Sequence, residues 1–278
     1  MTPKRRLGDY YKTGDWSDYW KTSVSETYQG VLRIRGYPIQ EIVKGLSYAE
    51  SLFLTIKGEL PTPAQGQVLN AAIVSLLDHQ FVSSHAPAAR FVASAHSESP
   101  VPGIAAGILC AGMHTISPTQ AALLLAQACD RMKSERLGRV ETARRIVDEH
   151  MSAKEYIPGI GHPTHKEFDP RGEALMEVAK ANGVWSEASL LYEEIHNQFT
   201  RRSGKSLPIN IDGVLACVLT EMGFTPDEMV GIAITAILPG IIAHVNEEIR
   251  EGVPLRIISE ELGSQYVGSA ERHIPNNR

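Results

Sequence analysis

Cysteine is scarce in this chain of 278 residues: Cys110, Cys129 and Cys217 lie far apart, each inside an apolar stretch. That spacing fits neither a zinc site nor a disulfide framework, and the odd count reads as buried thiols in a reducing compartment. Positive charge is also short. Lys and Arg number 27 against 32 Asp and Glu, a net charge of −5, which argues against a general nucleic-acid binder. The clusters Lys4-Arg5-Arg6 and Arg201-Arg202 read as solvated ends and loops. An apolar N-terminal h-region is missing, as is any run of 18 apolar residues, so the sequence offers no signal peptide and no membrane span. The expectation is a cytoplasmic protein without a membrane or nucleic-acid partner. Also missing are a P-loop, a dinucleotide fingerprint, a nucleophile elbow and a zinc spacing. Internal repeats and low-complexity linkers are absent too.

What is present is helical punctuation. Ser47-Tyr48-Ala49-Glu50 is a capping box, and the same device with Pro at the first helical position recurs at Thr62-Pro63-Ala64-Gln65, Ser117-Pro118-Thr119-Gln120 and Thr225-Pro226-Asp227-Glu228. Helix-period apolar residues follow each start. The pattern predicts an all-α protein with helices over 47–57, 63–78, 81–96, 101–113, 118–133, 139–153, 171–182, 186–202, 212–222 and 226–250, the last kinked at Pro239-Gly240. Residues 1–30 form a polar arm carrying Tyr10, Tyr11, Trp16, Tyr19 and Trp20, too aromatic for a disordered tail and expected to dock on the body or on a partner subunit. The alternating stretch Gly30–Ile39 predicts a short strand or hairpin. The basic stretch from about 130 to 150 is the best candidate for a change of domain. Residues 251–278 return to a polar tail.

One stretch cannot be regular helix: Glu155-Tyr156-Ile157-Pro158-Gly159-Ile160-Gly161-His162-Pro163-Thr164-His165-Lys166-Glu167-Phe168-Asp169-Pro170-Arg171. It reads as a loop whose bare backbone at Gly159 and Gly161 lets a ligand approach, with His162, His165, Lys166, Asp169 and Arg171 able to donate protons or hold anions. Other titratable groups sit in apolar or glycine-rich settings: Asp78-His79 followed by His85 and Arg90, then His114, Asp212 in Asn210-Ile211-Asp212-Gly213, and His244. Each alone has a bland account as a satisfied core histidine or a helix N-terminal carboxylate. Together they suit the making or breaking of a carbon–carbon bond beside a thioester. That chemistry needs a carboxylate base and donors for an enolate oxygen.

Four ordered motifs carry a resemblance. Gly30–Ile39 with Gly58-Glu59-Leu60-Pro61-Thr62 resembles the N-terminal signature of the citrate synthase superfamily, and Ile157–Pro163 with Asp169-Pro170-Arg171 its coenzyme A and catalytic-histidine loop. Asn210-Ile211-Asp212-Gly213 is similar to its catalytic-aspartate segment, in the form seen in citryl-CoA lyases and the lyase module of ATP-citrate lyase. Gly240-Ile241-Ile242-Ala243-His244 is similar to the Gly-x-x-Ala-His of the late helix.

The resemblance implies an all-α fold with a large domain (1–116 and 223–278, the arm 1–30 included) and a smaller inserted CoA-binding domain (117–222), in a homodimer whose domains close over substrate. It implies Asp212 as general base, His162 on the substrate hydroxyl or ketone oxygen, and His114 as the third catalytic group, with His85 in reserve. His79, Arg171 and Arg90 would bind substrate. Ile157, Pro158, Gly159, Ile160, Gly161 and Lys166 would bind coenzyme A, carried as an acyl-CoA substrate or product, with no metal. The activity implied is citryl-CoA lyase-like cleavage of a 3-hydroxy-3-carboxyacyl-CoA to acetyl-CoA or another acyl-CoA and a 2-oxo acid. A Claisen-type condensation on a less carboxylated substrate and a non-catalytic CoA-binding role are the alternatives. Two positions depart from the family pattern. The family's His-Gly-Gly is replaced here by Gly112-Met113-His114-Thr115-Ile116-Ser117, and Ile237 stands where the family places a carboxylate-gripping arginine.

Overall fold

A computed structural model describes residues 5–112, 115 and 118–274. The N-terminal arm opens with α1 (Leu7–Thr13), and its aromatic side chains cover one another. Tyr10 stacks on Trp16 and meets Tyr19 edge-on, while the Arg5 guanidinium lies 3.9 Å over the Tyr10 ring. The alternating stretch then forms a three-stranded antiparallel sheet, β1 (Ser25–Tyr28), β2 (Val31–Ile34) and β3 (Tyr37–Pro38), one strand more than a hairpin. Arg35 and Gly36 both take positive φ at the β2–β3 turn, the geometry whose twist matches the flanking strands. The sheet leads into α2 (Ile39–Gly45). The arginine of that turn donates to the Thr55 and Ile56 carbonyls, fixing the sheet to the C-terminal end of α3 (Tyr48–Lys57).

The capping boxes form as their chemistry requires. Ser47 and Glu50 close the start of α3, Thr62 and Gln65 that of α4 (Pro63–Val74), each by a reciprocal pair of backbone–side-chain bonds. Next in the chain come α5 (His85–Ser94), α6 (Val101–Leu109), α7 (Thr119–Ser134), α8 (Arg139–Ala153), α9 (Pro170–Ala181), α10 (Glu187–Ser203), α11 (Ile211–Glu221) and α12 (Pro226–Glu251). Ser117, expected to cap α7, lies outside the described residues. Thr225 and Glu228 bond reciprocally at the start of α12. That helix runs unbroken through Pro239, where the missing N–H leaves the Thr235 carbonyl without its usual i+4 donor. By length and composition α12 could cross a membrane, but Met229, Ile232, Ala233, Ala236, Ile237, Ile241 and Val245 are buried against protein.

The chain divides into two compact units, 1–77 with 116–237 and 78–115 with 238–278. The segment 1–77 groups with 116–237 because α4 packs on α9 and α11. The first unit is built around α11, where Ile211 and every residue from Gly213 to Leu219 are buried, so the helix is apolar on all sides. Helices α4, α7, α9 and α10 surround it, contributing Leu69, Leu125, Leu175, Leu191, Tyr192 and Ile195.

In the second unit α5 and α6 meet through small residues. A methyl at Gly103 would sit 2.9 Å from the Ala89 carbonyl oxygen, and one at Gly107 2.9 Å from Ile241. Glu248, whose side chain is fully buried, draws Arg90 to 2.5 Å and Arg256 to 2.5 Å. Removing this buried charge leaves Arg256 without its partner and Arg90 with Glu247 alone. Glu248→Ala should therefore lower stability by about 3 kcal/mol in chemical denaturation, and an unchanged midpoint would show the cluster to be dispensable.

Candidate active site

The loop 155–171 is held by backbone bonds to the segment that enters α11. Gly161 N–H donates to the Pro208 carbonyl at 2.8 Å, Asn210 N–H to the Gly159 carbonyl at 2.9 Å, and the Asn210 amide to the Gly161 carbonyl at 2.7 Å. Ile160 and Ile209 form an antiparallel bridge. Tyr192, fully buried on α10, donates its hydroxyl to the Pro158 carbonyl. Gly159 and Gly161 have φ of +86° and +89°, a region that favours glycine. The bare face of Gly159 was expected to meet a ligand. It is turned instead to the protein: a Cβ there would strike the Tyr192 hydroxyl and come within 2.7 Å of Gly213 Cα. Close packing of the loop on α11 thus accounts for that glycine. Ile157 is buried beneath the loop, while Lys166 is exposed on it.

Asp169 organises the charged part of the loop. Its carboxylate is fully buried, accepts from Arg171 through Nε at 3.0 Å and Nη2 at 2.9 Å, and takes the Arg171 and Ile211 backbone N–H groups at 3.1 and 3.0 Å. It thereby caps α9, whose first position is Pro170, and ties α9 to the first turn of α11. Burial works against its charge, but the Arg171 bonds and the two backbone donors outweigh it and hold the carboxyl below its ordinary range. The sequence marks Asp169 as a cap through Asp-Pro-Arg. Its bond to Ile211, 42 residues on, has no local signal.

The clamp places Arg171 beside His162, with Nη2 3.4 Å from Nε2. His162 Nδ1 accepts the backbone N–H groups of Thr164 and His165 at 3.1 and 3.0 Å, so the ring proton belongs on Nε2. Two donors, one of them cationic, therefore stand side by side, an arrangement suited to an oxygen atom of a carboxylate, hydroxyl or ketone. His165 lies against the same ring, with centroids 4.7 Å apart.

Asp212 occupies the second position of α11, after the Asn210 cap whose side chain accepts from Gly213 N–H. Among the described residues nothing hydrogen-bonds its carboxyl. Burial raises its pKa above the ordinary aspartate value, Arg171 opposing and Asp169 adding to the rise. Asp212, His162 and Arg171, selected from the sequence, all belong to this one unit.

The remaining candidates lie in the second unit. Asp78 accepts from His244 Nε2 at 3.0 Å, and His244 Nδ1 is 3.5 Å from Arg90. His79 follows directly, at the start of a short 3-10 turn over Gln80–Val82. Arg90, expected to bind substrate, is committed to Glu248 and Glu247, the latter at 3.2 Å. His114 lies outside the described residues. Ile237, in the first unit, is 3% exposed, a core side chain that cannot be exchanged for arginine without burying a charge.

Residues 46–258 match the family described as citrate synthase, C-terminal domain. The chain belongs to the citrate synthase family. Within this family it is similar to citryl-CoA lyase from Hydrogenobacter thermophilus, with 34% identity, a TM-score of 0.83, and coverage of 92% of this chain and 97% of that one. Citrate synthase 2 of Bacillus subtilis is 28% identical over 206 residues, 72% of this chain and 52% of that protein. The chain spans about half the length of the curated citrate synthases it matches. The ATP citrate lyase of Methanothrix soehngenii, solved with citrate and coenzyme A, shares the fold over 97% of this chain at 20% identity and a TM-score of 0.77.

The raised carboxyl of this citrate synthase-family chain has a thermodynamic consequence. A group that holds its proton more tightly folded than unfolded loses stability as pH rises from the ordinary aspartate range through its raised value, and the deficit is complete above that value. Asp212→Asn removes the charge, so its melting temperature should exceed the parent's at pH 7, with the gain shrinking as pH falls into the acid range. A pH-independent difference would mean that Asp212 is not strained by its burial. For the loop, Gly159→Ala should lower the melting temperature by several degrees, because the new methyl strikes Tyr192 and the Gly213 backbone.

Proposed function

We propose that this chain is a carbon–carbon lyase of the citryl-CoA lyase type, cleaving a 3-hydroxy-3-carboxyacyl-CoA to acetyl-CoA, or another acyl-CoA, and a 2-oxo acid. The observation that carries the reading is Asp212, its pKa raised by burial and its carboxyl unbonded among the described residues, in the unit where Arg171 and the His162 Nε2–H form a paired oxygen site. Likeness to the Hydrogenobacter citryl-CoA lyase over nearly the full length of both chains supports it.

In the cleavage direction the substrate hydroxyl gives up its proton to solvent and its O–H electron pair becomes the carbonyl of the oxo acid. The carbon–carbon pair passes to the thioester as an enolate. Protonated Asp212 then delivers a proton to the α-carbon and is left as carboxylate. Burial raises its pKa above the ordinary aspartate value, which favours the protonated form. His162 and Arg171 hold the oxygen and carboxylate that become the oxo acid. His79 donates to a substrate oxygen, while Arg90 serves through its ion pairs rather than by gripping substrate. Coenzyme A is held by residues 157–161 and Lys166, the glycines acting by letting the loop sit close on α11. The same groups run the condensation, and similarity to citrate synthases favours that direction as the second reading. A cytoplasmic homodimer belongs to the same proposal, and sedimentation of the pure protein tests its dimeric state.

Incubated with citryl-CoA, the protein should release acetyl-CoA and oxaloacetate in equal amounts by mass spectrometry. Asp212→Asn should lose this release by at least about a thousandfold while keeping its affinity for coenzyme A. Equal turnover by the variant would place the acid–base group elsewhere.

A further inference from the structure

Tyr192 is fully buried on α10 with Leu191 and Ile195, and its hydroxyl donates to the Pro158 carbonyl. Burial raises the phenol well above its ordinary pKa, Cys217 and Asp212 adding to the rise, so the group acts as a neutral donor. The hydroxyl oxygen occupies a slot that two glycines leave open. A Cβ on Gly159 would strike it, and one on Gly213 would lie 3.0 Å from it and 2.7 Å from the Gly159 carbonyl oxygen. A phenylalanine ring would fill the core at nearly the same volume. The hydroxyl, and the two missing Cβ atoms that make room for it, therefore serve something other than packing. Chain connectivity gives that hydroxyl two neighbours of consequence. Gly213 directly follows Asp212, and the loop runs from Pro158 to His162 fixed to the entry of α11 at Gly159, Ile160 and Gly161. One oxygen atom thus lies against the backbone beside the carboxyl and anchors the stretch that carries the imidazole.

We propose that Tyr192 is a positioning residue for proton transfer: through the Pro158 carbonyl and the Gly213 backbone, its hydroxyl sets the spacing between the Asp212 carboxyl and the oxygen site of His162 and Arg171. The proposal rests on the reading of Asp212 as the acid–base group. A carboxyl that exchanges a proton with carbon depends on its placement, and a shift of about 1 Å can cost about a hundredfold in rate. Substrate affinity is spread over many contacts and depends on that one spacing far less. The hydroxyl therefore acts on kcat rather than on KM.

The test combines citryl-CoA turnover with thermal melting at pH 7, both on the full-length protein. Tyr192→Phe keeps the ring and removes only the hydroxyl. It should lower kcat by about tenfold or more, with KM within about threefold of the parent. Gly213→Ala, which forces the same seam apart with the hydroxyl kept, should lower kcat as well. Ile195→Val, equally buried one turn along α10, should lower the melting temperature and leave kcat unchanged. Melting supplies a readout independent of catalysis. The Asp212 carboxyl, raised by burial with Arg171 opposing and Asp169 adding, relaxes toward its ordinary value once a loosened loop admits water. The rise in melting temperature from Asp212→Asn should therefore shrink by about half or more in the Tyr192→Phe background. A Tyr192→Phe protein with kcat within about twofold of the parent, or with its loss carried by KM alone, overturns the proposal. If the parent itself leaves citryl-CoA intact, the lyase reading falls and melting decides alone. A shrunken Asp212→Asn gain then upholds the positioning role, and an undiminished gain overturns it.

Discussion

The buried carboxylate of Asp169 is the interaction on which the rest of the candidate site depends. It neutralises Arg171, caps α9 and takes the first N–H of α11, so three segments distant in sequence meet at one pair of oxygens. A buried charge persists only where it is paired and fully bonded, and this one is. Because Arg171 is fixed from behind, its position against His162 is set before any ligand arrives. Preorganised donors of this kind lose little on binding and most favour the charge that develops during reaction. Asp212, in the first turn of the same helix, receives the opposite treatment: among the described residues nothing hydrogen-bonds its carboxyl, and burial shifts its pKa upward. One carboxylate is held ionised by its partners, and its neighbour is pushed toward the protonated form.

Local signals carried most of the helical plan. The boxes at Ser47–Glu50, Thr62–Gln65 and Thr225–Glu228 all form, because each needs only residues three positions apart. Helices α1 and α2, at seven residues each, are too short to show a period and went unread. The candidate residues Asp212, His162 and Arg171 were legible by type and motif. Their arrangement was not, since the bonds that place them join Asp169 to Ile211 and Gly161 to Asn210 across more than 40 residues. Gly159 shows the same limit. Sequence indicates that a backbone must be approached closely there, and only the fold reveals that Tyr192 and Gly213 approach it.

The second unit carries a polar cluster of Asp78, His244, Arg90 and Glu248. The resemblance implies a substrate-binding role for Arg90, yet Glu248 on α12 claims it, a contact spanning 158 residues. Ile237 looked like a lost charge in a binding pocket and is a core side chain. In both cases burial and partner, rather than residue type, decide the role. A guanidinium already paired at 2.5 Å has little left to offer an incoming anion.

The central claim is that Asp212 moves the proton at the α-carbon of an acyl-CoA. Exchange of the acetyl-CoA methyl protons in deuterated water, followed by proton NMR with and without oxaloacetate, reads that step alone, whatever the physiological direction. The account predicts exchange by the parent protein and none above background with Asp212→Asn. Exchange at the parent rate in that variant would contradict it and assign the proton transfer to another group.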